Sequence, residues 1–232
     1  MNELENLRHI AEYLYEFNEV IFVDGNSVDG TVAFISENFP QSKLINQGQL
    51  RGKGSAIALG ILAAESDYVL LLDADLPISL NEVRSAMTYC DRNPEIDLLK
   101  GSRHLKLGGS EDLTLVRNFG AQFFALLTKI LFRVNWTEMC YGFWILKREH
   151  IEKLKIHEIL QSPQSFLNFQ GLPYAHSFEF DQVLFLRSHK LQLLIEEIPS
   201  FELKRNYGPS KLSALKDGLR TLSVIIIERI RR

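Results

Sequence analysis

The 232-residue sequence predicts an α/β fold, a mainly parallel sheet flanked by helices within a single domain. Three observations favour this fold. Short apolar, β-branched runs alternate with helical patterns, two of these runs end on acidic residues at Asp24 and Asp73, and no linker, repeat or low-complexity segment divides the sequence. A chain of this length is able to bury one substantial core, so we expect residues 1–232 to form one domain.

The first half of the chain alternates between helices and strands. Apolar residues recur at helical spacing in the helices, and the strands are short runs rich in aliphatic residues. In chain order the expected elements are helix 3–17, strand 19–23, helix 30–38, strand 43–46, helix 52–64, strand 67–72, helix 80–92 and strand 97–101. Open α/β sheets bind ligands at the carboxyl ends of their strands, so Asp24 and Asp73 become candidates for the site.

The second half of the chain is less regular. Its expected elements are a Phe- and Leu-rich helix at 113–133, an irregular active-site segment at 136–143, a helix at 178–189, a strand at 191–198 and a final helix from residue 212 to the end. A polar stretch containing Gly and Pro, 204–211, precedes that last helix.

Composition excludes several classes of protein. The 26 basic and 29 acidic residues nearly balance, so the chain lacks the charge footprint of a nucleic-acid-binding protein. Cys90 and Cys140 are far apart and lack metal-ligand spacing, which is typical of reduced thiols in a cytoplasmic protein. A charged helical pattern follows Met1 where a secretory signal would be apolar, and the longest pure apolar runs are far shorter than the roughly 20 residues that cross a bilayer.

The segment Asp73-Ala74-Asp75 ends the most apolar of the expected strands. Residues i and i+2 of a strand point to the same face, so the two carboxylates should lie side by side. Like charges placed in this way repel each other unless a cation lies between or beside them. Hard divalent ions, Mg²⁺ or Mn²⁺, suit oxygen ligands and typically bind a substrate diphosphate as well. We therefore expect Asp73 and Asp75 to form a metal site.

Seven segments of the chain resemble, in their order, the motifs of one family. They are 23–31, 52–56 with Gly60, 73–75, 101–103, 117–120, 142–143 and 205–211. Together they resemble the family-two glycosyltransferases of the Rossmann-like GT-A fold, especially dolichol-phosphate mannose synthases and related polyprenyl-phosphate sugar transferases. Each segment alone is a weak signal, but the seven in order span nearly the whole chain. The resemblance implies a metal-dependent hexosyltransferase with a nucleotide-sugar donor.

The resemblance also implies roles for residues on the donor side. Asp24 would accept hydrogen bonds from the base or ribose of the donor, although a carboxylate there also suits the cap of the following helix. Lys53 precedes a helix and would lie near the donor phosphates, its alternative being an ordinary solvated lysine. Asp73 would face the nucleotide and Asp75 would bind the Mg²⁺ or Mn²⁺ cofactor.

Four basic residues are candidates for the acceptor side: Arg103, Arg117, Arg205 and Lys211. The guanidinium of an arginine presents a fork of donors that matches phosphate oxygens. If the acceptor is a lipid phosphate, its oxygen is already anionic and the enzyme needs positioning and charge neutralisation more than proton transfer.

A saccharide hydroxyl acceptor would instead require a carboxylate base. Glu138 is the candidate, at a place where the family usually has the shorter Asp. We expect Asp75, Arg117 and Glu138 to act in catalysis. Glu179 and Asp181 also occupy positions where the family carries acidic residues, but both equally suit the negative charge that favours a helix N-terminus.

We divide the domain into a nucleotide-sugar-binding half at 1–102, an acceptor-binding half at 103–211 and an amphipathic C-terminal helix at 212–232. Six aliphatic residues form one stripe on that helix: Leu212, Leu215, Leu219, Leu222, Ile226 and Ile230. Such a stripe commonly packs onto its domain, and the arginines that end the helix also suit a membrane surface. The chain is then expected in the cytoplasm, with peripheral contact at the cytoplasmic face of a membrane.

The resembling family begins with an apolar strand that this sequence lacks, since residues 1–7 match only the segment that follows the strand. That strand is central in the family's sheet. We therefore expect either a gap or direct pairing between the strands that end at Asp24 and Asp73, and weak stability and nucleotide affinity. A late start site, a clipped chain and a degenerate family member are the three explanations.

Three functions remain open from the sequence. The first is inverting transfer of a sugar from a nucleotide-diphosphate sugar to a polyprenyl phosphate of the dolichyl or undecaprenyl kind. The second keeps the donor but transfers the sugar to a saccharide hydroxyl. The third is a truncated, non-catalytic member that binds nucleotide. None of the three involves nucleic acid.

Overall fold

The computed structural model describes residues 1–75, 77–162, 174–204 and 213–231. Arg205 and Lys211, two of the four basic residues expected on the acceptor side, lie outside the described residues.

Eight α-helices occur in the described residues, and most of them match the expected positions within two or three residues. They are α1 (Leu4–Leu14), α2 (Thr31–Asn38), α3 (Lys53–Ala63), α4 (Leu80–Arg92), α5 (Leu115–Phe132), α6 (His157–Gln161), α7 (Phe180–Lys190) and α8 (Ala214–Ile230). A short 3-10 helix spans Arg148–His150. The sequence did not predict that 3-10 helix or α6, because neither is long enough to show a helical period.

Eight strands are described. They are β1 (Ile21–Asp24), β2 (Lys43–Asn46), β3 (Tyr68–Leu70), β4 (Leu98–Ser102), β5 (Gly109–Ser110), β6 (Trp144–Lys147), β7 (Ile195–Pro199) and β8 (Phe201–Glu202). The expected irregular segment 136–143 is confirmed, and β6 begins directly after it. β5, β6 and β8 were not predicted, and β5 and β8, with two residues each, are too short to show a pattern.

Four strands form the largest sheet, in the order β3-β6-β4-β7. β4 and β7 are parallel, whereas β6 is antiparallel to both of its neighbours. β3, β4 and β7 therefore all run in one direction and β6 runs in the other. Two further parallel pairs, β1–β2 and β5–β8, complete the strands. The α/β fold is confirmed, and the antiparallel β6 makes the main sheet mixed.

The strands that end at Asp24 and before Asp73 belong to different sheets. One edge of β1 pairs with β2, and the hydrogen bonds from Lys43 N to Val20 O (3.0 Å) and from Gln47 N to Asp24 O (2.8 Å) flank this ladder. Within the described residues, no ladder joins the other edge of β1 to β3. Of the two arrangements expected for these strands, the structure has the one in which they do not pair.

Helices cover both faces of the main sheet. Neighbouring residues of a strand point to opposite faces, and accordingly Leu98 packs in one apolar cluster and Leu99 in another. The larger cluster lies among α3, α5, α7 and α8, and the other lies beneath α4. A third cluster joins α1 to α2 beside β1. The side chains therefore form layers of helix, sheet and helix, with the strand ends left free for the site.

The C-terminal helix α8 does not pack through the stripe that the sequence suggested. Its buried aliphatic residues are Val224 and Ile225, which lie in the larger cluster. Of the expected stripe, Leu222 packs partly against that cluster, whereas Leu215, Leu219, Ile226 and Ile230 are exposed, and Leu212 lies outside the described residues. The helix therefore has a second apolar face that the described residues leave open.

Candidate active site

The strand directions bring several candidate residues to one edge of the main sheet. Asp73 follows the end of β3, Arg103 follows the end of β4, and Glu202 lies beyond the end of β7. β6 runs the opposite way, so its first residue, Trp144, lies at this same edge. The site is thus built where open α/β sheets generally bind ligands, at the carboxyl ends of parallel strands.

Three carboxylates gather around one ammonium group at this edge. Lys53 Nζ, on the first residue of α3, donates a 2.6 Å hydrogen bond to Oδ2 of Asp73. The negative charges of Asp75 and Asp181 also act on Lys53. We call Lys53, Asp73, Asp75 and Asp181 the carboxylate cluster.

Two observations place Asp181 in this cluster. Its Oδ1 accepts a 2.9 Å hydrogen bond from the indole Nε1 of Trp144. A Cβ atom placed on Gly142 would lie 3.1 Å from Lys53 Nζ and 3.3 Å from Oδ2 of Asp181, so both groups lie against the backbone of that glycine. A larger residue at position 142 would push into the cluster.

The two aspartates of Asp73-Ala74-Asp75 do not share a strand face as expected. β3 ends at Leu70, and Ala74 and Asp75 form a turn. Strand alternation therefore does not position the pair. What brings their charges together is the turn and the ammonium of Lys53.

Burial and charge shift the pKa values of two groups in the cluster. Burial alone would lower the pKa of Lys53, but the charges of Asp73 and Asp181 outweigh it and raise that pKa. Burial raises the pKa of Asp181, and the nearby charge of Lys53 only partly offsets the rise. The surroundings therefore favour the charged form of Lys53 and disfavour the charged form of Asp181.

The glycines on either side of Lys53 explain how α3 reaches this position. A Cβ atom on Gly52 would lie 2.1 Å from the carbonyl oxygen of His176, and one on Gly54 would lie 2.0 Å from that of Ala175. No side chain fits at such distances. Gly52 also has a φ of +92°, which favours glycine. The close approach holds the segment that leads into α7, and hence Asp181, against the start of α3.

Asp24 lies at the carboxyl end of β1 and is buried. Its Oδ2 accepts a 2.9 Å hydrogen bond from the amide of Ser27 and so closes the turn after the strand. A different carboxylate accepts a hydrogen bond at the start of α2: Oδ1 of Asp29 accepts from the amide of Thr31 at 3.1 Å. Asp24 is therefore not the cap of α2, and its expected donor contact stays a prediction.

Arg103 lies in a buried ion network beside the cluster. Its Nε donates to Oε2 of Glu138 and its Nη1 to Oε2 of Glu202, each at 2.9 Å. The guanidinium also stacks 4.8 Å from the ring centroid of Tyr141. The third nitrogen, Nη2, donates to the carbonyl oxygen of Cys140 at 3.4 Å. Because all three nitrogens of the guanidinium have partners, Arg103 is better placed to orient the network than to bind a phosphate directly.

Glu138 is fully buried at the centre of this network. Besides Arg103, its carboxylate accepts from the amides of Met139 (3.0 Å) and Cys140 (2.8 Å). Burial would raise the pKa of Glu138, but the charge of Arg103 outweighs it and lowers that pKa. A carboxylate with these partners is a weak base, which argues against the catalytic role expected for Glu138.

Arg117 meets the same network from the first turn of α5. Its Nη1 donates to the carbonyl oxygen of Asp112 at 2.9 Å and lies 3.3 Å from Oδ2 of that residue. Its Nη2 lies 4.0 Å from Oε1 of Glu202. The structure thus brings together Arg103 and Arg117, the two acceptor-side arginines that it describes, on either side of Glu202.

A second group of possible metal ligands lies elsewhere. Ligand atoms of Asp97, Glu149 and His150 are within 4.8 Å of one another. Asp97 precedes β4 and the other two follow β6, so the group lies at the opposite edge of the sheet from Asp73. Lys147 Nζ is already 3.2 Å from Oδ1 of Asp97, which makes this group a salt-bridge cluster.

Sequence reasoning gave too little weight to two residues. Asp181 was considered equally suited to a helix N-terminus, although the structure places it in the carboxylate cluster. Trp144 is buried in the core, and its indole also supports Asp181 by a hydrogen bond. The sequence signal was the pair of acidic residues at the start of α7, Glu179 and Asp181, but only the tertiary contacts show that Asp181 belongs to the site.

A family model provides the first comparison. The model described as glycosyl transferase family 2 matches residues 3–155 of the chain. These residues include the carboxylate cluster except for Asp181, together with Arg103, Arg117 and Glu138.

Two relatives are dolichyl-phosphate beta-glucosyltransferases. The one from Trichomonas vaginalis is 29% identical over 121 residues, which cover 47% of this chain and 35% of the relative. The one from Dictyostelium discoideum is 34% identical over 110 residues, which cover 44% of this chain and 32% of the relative. The matched region thus spans about a third of the length of these two relatives.

Solved structures of glucosyl-3-phosphoglycerate synthase from Mycobacterium tuberculosis share the fold. A complex with Mn²⁺, uridine diphosphate and glucosyl-3-phosphoglycerate has a TM-score of 0.66 at 16% identity and covers 99% of this chain and 76% of its own. A second structure of that enzyme has a TM-score of 0.64 at 17% identity and covers 99% of this chain and 77% of its own. The family model matches well over half of the residues of this chain, and the chain therefore belongs to glycosyl transferase family 2.

Proposed function

We propose that this chain transfers a sugar, with inversion, from a nucleotide-diphosphate sugar to a polyprenyl phosphate. The observation that carries the proposal is the carboxylate cluster at the edge of the sheet, with the two acceptor-side arginines in the adjoining ion network. Membership of the family supports the donor class. The two dolichyl-phosphate beta-glucosyltransferase relatives support the acceptor class.

The carboxylate cluster suits a divalent cation. Three carboxylates face a single ammonium group, so the cluster carries more negative than positive charge, and all of its acidic ligand atoms are the hard oxygens that Mg²⁺ and Mn²⁺ prefer. We propose Asp73 and Asp75 as the residues that hold the ion. When bound, it neutralises charge on the departing diphosphate. Mn²⁺ or Mg²⁺ accompanies uridine diphosphate in structures of the mycobacterial synthase.

Lys53 and Asp24 are the proposed donor contacts. Lys53 has the raised pKa of a firm cation and stands at the first residue of α3, where unpaired amides and the helix dipole favour an anion. Asp24 ends β1 with one carboxylate oxygen committed to the turn. Its other oxygen is proposed to accept from the base or ribose.

The acceptor oxygen of a lipid phosphate is itself the nucleophile. It forms a bond to the anomeric carbon as the bond from that carbon to the diphosphate oxygen breaks, and the nucleoside diphosphate leaves with the bonding electrons. No proton has to be removed, so positioning by arginine is the main requirement. We propose Arg117 for this contact, because its guanidinium is the less enclosed of the two described arginines. Arg205 and Lys211 remain predicted partners.

One observation favours a second candidate function, transfer to a saccharide hydroxyl. Such a reaction needs a base, and Asp181 has a raised pKa within the carboxylate cluster. In this alternative Asp181, and not Glu138, would remove the hydroxyl proton.

A lipid acceptor also requires that the protein reach a membrane. We propose a cytoplasmic protein that contacts the membrane surface peripherally, with residues 212–232 contributing through the exposed side of α8.

A screen of nucleotide sugars tests the function. The purified chain is incubated with UDP-glucose and other common nucleotide sugars, with and without Mn²⁺, and with either undecaprenyl phosphate or a saccharide acceptor. Labelled sugar in the organic phase supports the proposal. Transfer to the saccharide alone favours the second candidate. If the chain neither hydrolyses a donor nor binds a nucleoside diphosphate, both candidate transferase functions are contradicted.

A further inference from the structure

Residues 137–142 join the two parts of the candidate site. Near one end, the carboxylate of Glu138 accepts a hydrogen bond from Nε of Arg103. At the other end, the backbone of Gly142 lies against the ammonium and one carboxylate of the carboxylate cluster. We call residues 137–142 the linking segment. A shift of this segment would move the ion network around Arg103 relative to the carboxylate cluster.

Side chains from two strands hold the start of the linking segment. The segment lies within the described residues and belongs to neither a helix nor a strand, so its backbone groups need other partners. The carboxylate of Glu197, on β7, accepts from the amides of Thr137 at 2.8 Å and Glu138 at 3.1 Å. Lys100 Nζ, on β4, donates to the carbonyl oxygen of Glu138 and, at 2.7 Å, to Oε1 of Glu197. One ion pair therefore holds both the N–H and the C=O of Glu138.

This ion pair lies in the interior of the domain. The side chain of Lys100 is fully buried, and that of Glu197 is 10% exposed. The ring centroids of Trp136 and Phe185 lie 5.3 Å and 4.7 Å from Lys100 Nζ. Burial lowers the pKa of Lys100, and the charge of Glu197 only partly offsets the fall. Apolar side chains often replace a buried ion pair without loss of stability, so stability alone does not account for this pair.

We propose that Lys100 and Glu197 are positioning residues of the transferase, which hold the linking segment so that the Arg103 network and the carboxylate cluster keep a fixed arrangement. Because both side chains are spent on each other and on the segment, they act through its backbone and not on a substrate. The inference rests on the proposed function for what the two parts of the site bind. The order of the segment is measured without any substrate.

Cys140 reports on the order of the linking segment. Burial raises the pKa of its thiol, so alkylation should be slow while the segment is held in place. Cys90, the second cysteine of the sequence, lies on α4 in a different apolar cluster and is the internal reference. Labelling of the full chain with N-ethylmaleimide, followed by peptide mass spectrometry, gives a separate rate for each thiol.

Two double variants make the comparison. Lys100→Met with Glu197→Gln removes both charges, so it leaves no unpaired ion in the interior. Lys147→Met with Asp97→Asn is the matched control, because it neutralises the ion pair at the opposite edge of the sheet. Lys100→Met alone leaves Glu197 without its cation and should lower the melting temperature by roughly 10 °C. The double variant of the pair should melt within about 3 °C of the unmodified chain.

We expect Cys140 to be labelled at least about tenfold faster in Lys100→Met with Glu197→Gln, because charged hydrogen bonds to the segment are lost. The rate at Cys90, and both rates in the control, should not change. If the double variant regains both the melting temperature and slow labelling of Cys140, the pair has only a structural role and the proposal is overturned. Equal acceleration at Cys90 would also overturn it, since the whole domain would then have loosened.

Transfer measurements separate this inference from the proposed function. In the same double variant the apparent constant for undecaprenyl phosphate should rise about tenfold, whereas the affinity for UDP with Mn²⁺, measured by calorimetry, should change less than about threefold. The reason is that the pair holds the end of the segment nearest Arg103. An unchanged acceptor constant despite faster labelling of Cys140 would contradict positioning. If the unmodified chain transfers no sugar, the proposed function fails, and the labelling rates still decide whether the pair holds the segment.

Discussion

Lys53 Nζ donates a 2.6 Å hydrogen bond to Oδ2 of Asp73, joining the start of α3 to the turn that follows β3. The bond places a cation at the centre of a group with three carboxylates, since the charges of Asp75 and Asp181 also act on it. One ammonium does not balance three carboxylates, so the group favours a further cation. This excess of negative charge is the physical basis of the proposed metal dependence.

Asp181→Asn separates the two candidate acceptors. The amide oxygen of Asn still accepts from Trp144, but the side chain no longer removes a proton. With a saccharide acceptor we expect turnover to fall by about 10²- to 10⁴-fold, whereas with a polyprenyl phosphate the loss should be under about tenfold. Asp91→Asn, a change on the exposed end of α4, is the control. Equal rates for Asp181→Asn and the control with both acceptors would remove Asp181 from the chemistry.

The same variant has a pH signature in stability. Burial raises the pKa of Asp181 above 3.8, its ordinary value, so ionising this group costs the folded state free energy. That cost is absent at low pH and appears as pH rises through the shifted pKa. Asp181→Asn should therefore melt at the same temperature as the unmodified chain at low pH and at a higher temperature near pH 7. A lower melting temperature at neutral pH would contradict this assignment.

Arg117→Lys tests the acceptor side. The ammonium of lysine does not reproduce the guanidinium fork, and one charged hydrogen bond to a phosphate contributes about 1.5–3 kcal/mol. We expect the apparent acceptor constant to rise by roughly tenfold or more while donor affinity is unchanged. Calorimetry with UDP and Mn²⁺ measures the donor side independently. Equal loss of UDP affinity would move Arg117 to the donor site.

The sequence predicted the parts of the fold that carry local signals. The bounds of α4 match the expected 80–92, because Ser79 caps the helix by accepting from the amide of Glu82. β2 matches 43–46 for a similar reason, as an apolar run bounded by polar residues. The parallel direction of β3, β4 and β7 also follows from the helices between them.

Features that depend on contacts between residues far apart in the chain could not be predicted from the sequence. Strand alternation gave the wrong reason for placing Asp73 beside Asp75, because β3 ends before them. The network around Glu138 joins residues as far apart as Arg103 and Glu202, and no local pattern encodes those contacts. The exposed stripe of α8 looked like a packing face, and only the burial of Val224 and Ile225 shows which side meets the core.

Glu19→Gln tests how β1 is held to its surroundings. Burial would raise the pKa of Glu19, but hydrogen bonds from Lys43 and from the amides of Glu65 and Ser66 outweigh it and lower the pKa to about 2 from 4.5. The stabilisation is therefore complete above pH 4.5 and is lost as pH falls toward 2. We expect Glu19→Gln to lower the free energy of unfolding by about 1–3 kcal/mol at pH 7.

Urea unfolding at several pH values measures this effect. The difference between Glu19→Gln and the unmodified chain should shrink steadily as pH is lowered toward 2, while Glu12→Gln, an exposed change on α1, should make little difference at any pH. A difference that stays constant with pH would mean that the charge of Glu19 is not the source of the stability.

Amide exchange tests the separation of β1 from the main sheet. The residues of β1 alternate, and those whose amides point away from β2 are Ile21 and Val23. We expect these two amides to exchange much faster than the amides of β4, which is paired on both sides. Residue-resolved hydrogen–deuterium exchange measures the difference. Protection of Ile21 and Val23 comparable to that of β4 would show that this edge of β1 is covered in solution.

Transfer of labelled glucose from UDP-glucose to undecaprenyl phosphate tests the central claim most directly, by comparing the unmodified chain with Asp75→Asn. We predict organic-extractable label that depends on Mn²⁺, disappears in excess chelator and falls by roughly 10²-fold or more in Asp75→Asn, the scale for losing one electrostatic stabiliser. Melting of the variant should stay the same or rise, because repulsion with Asp73 is relieved. Full transfer in excess chelator, or by Asp75→Asn, would contradict the account.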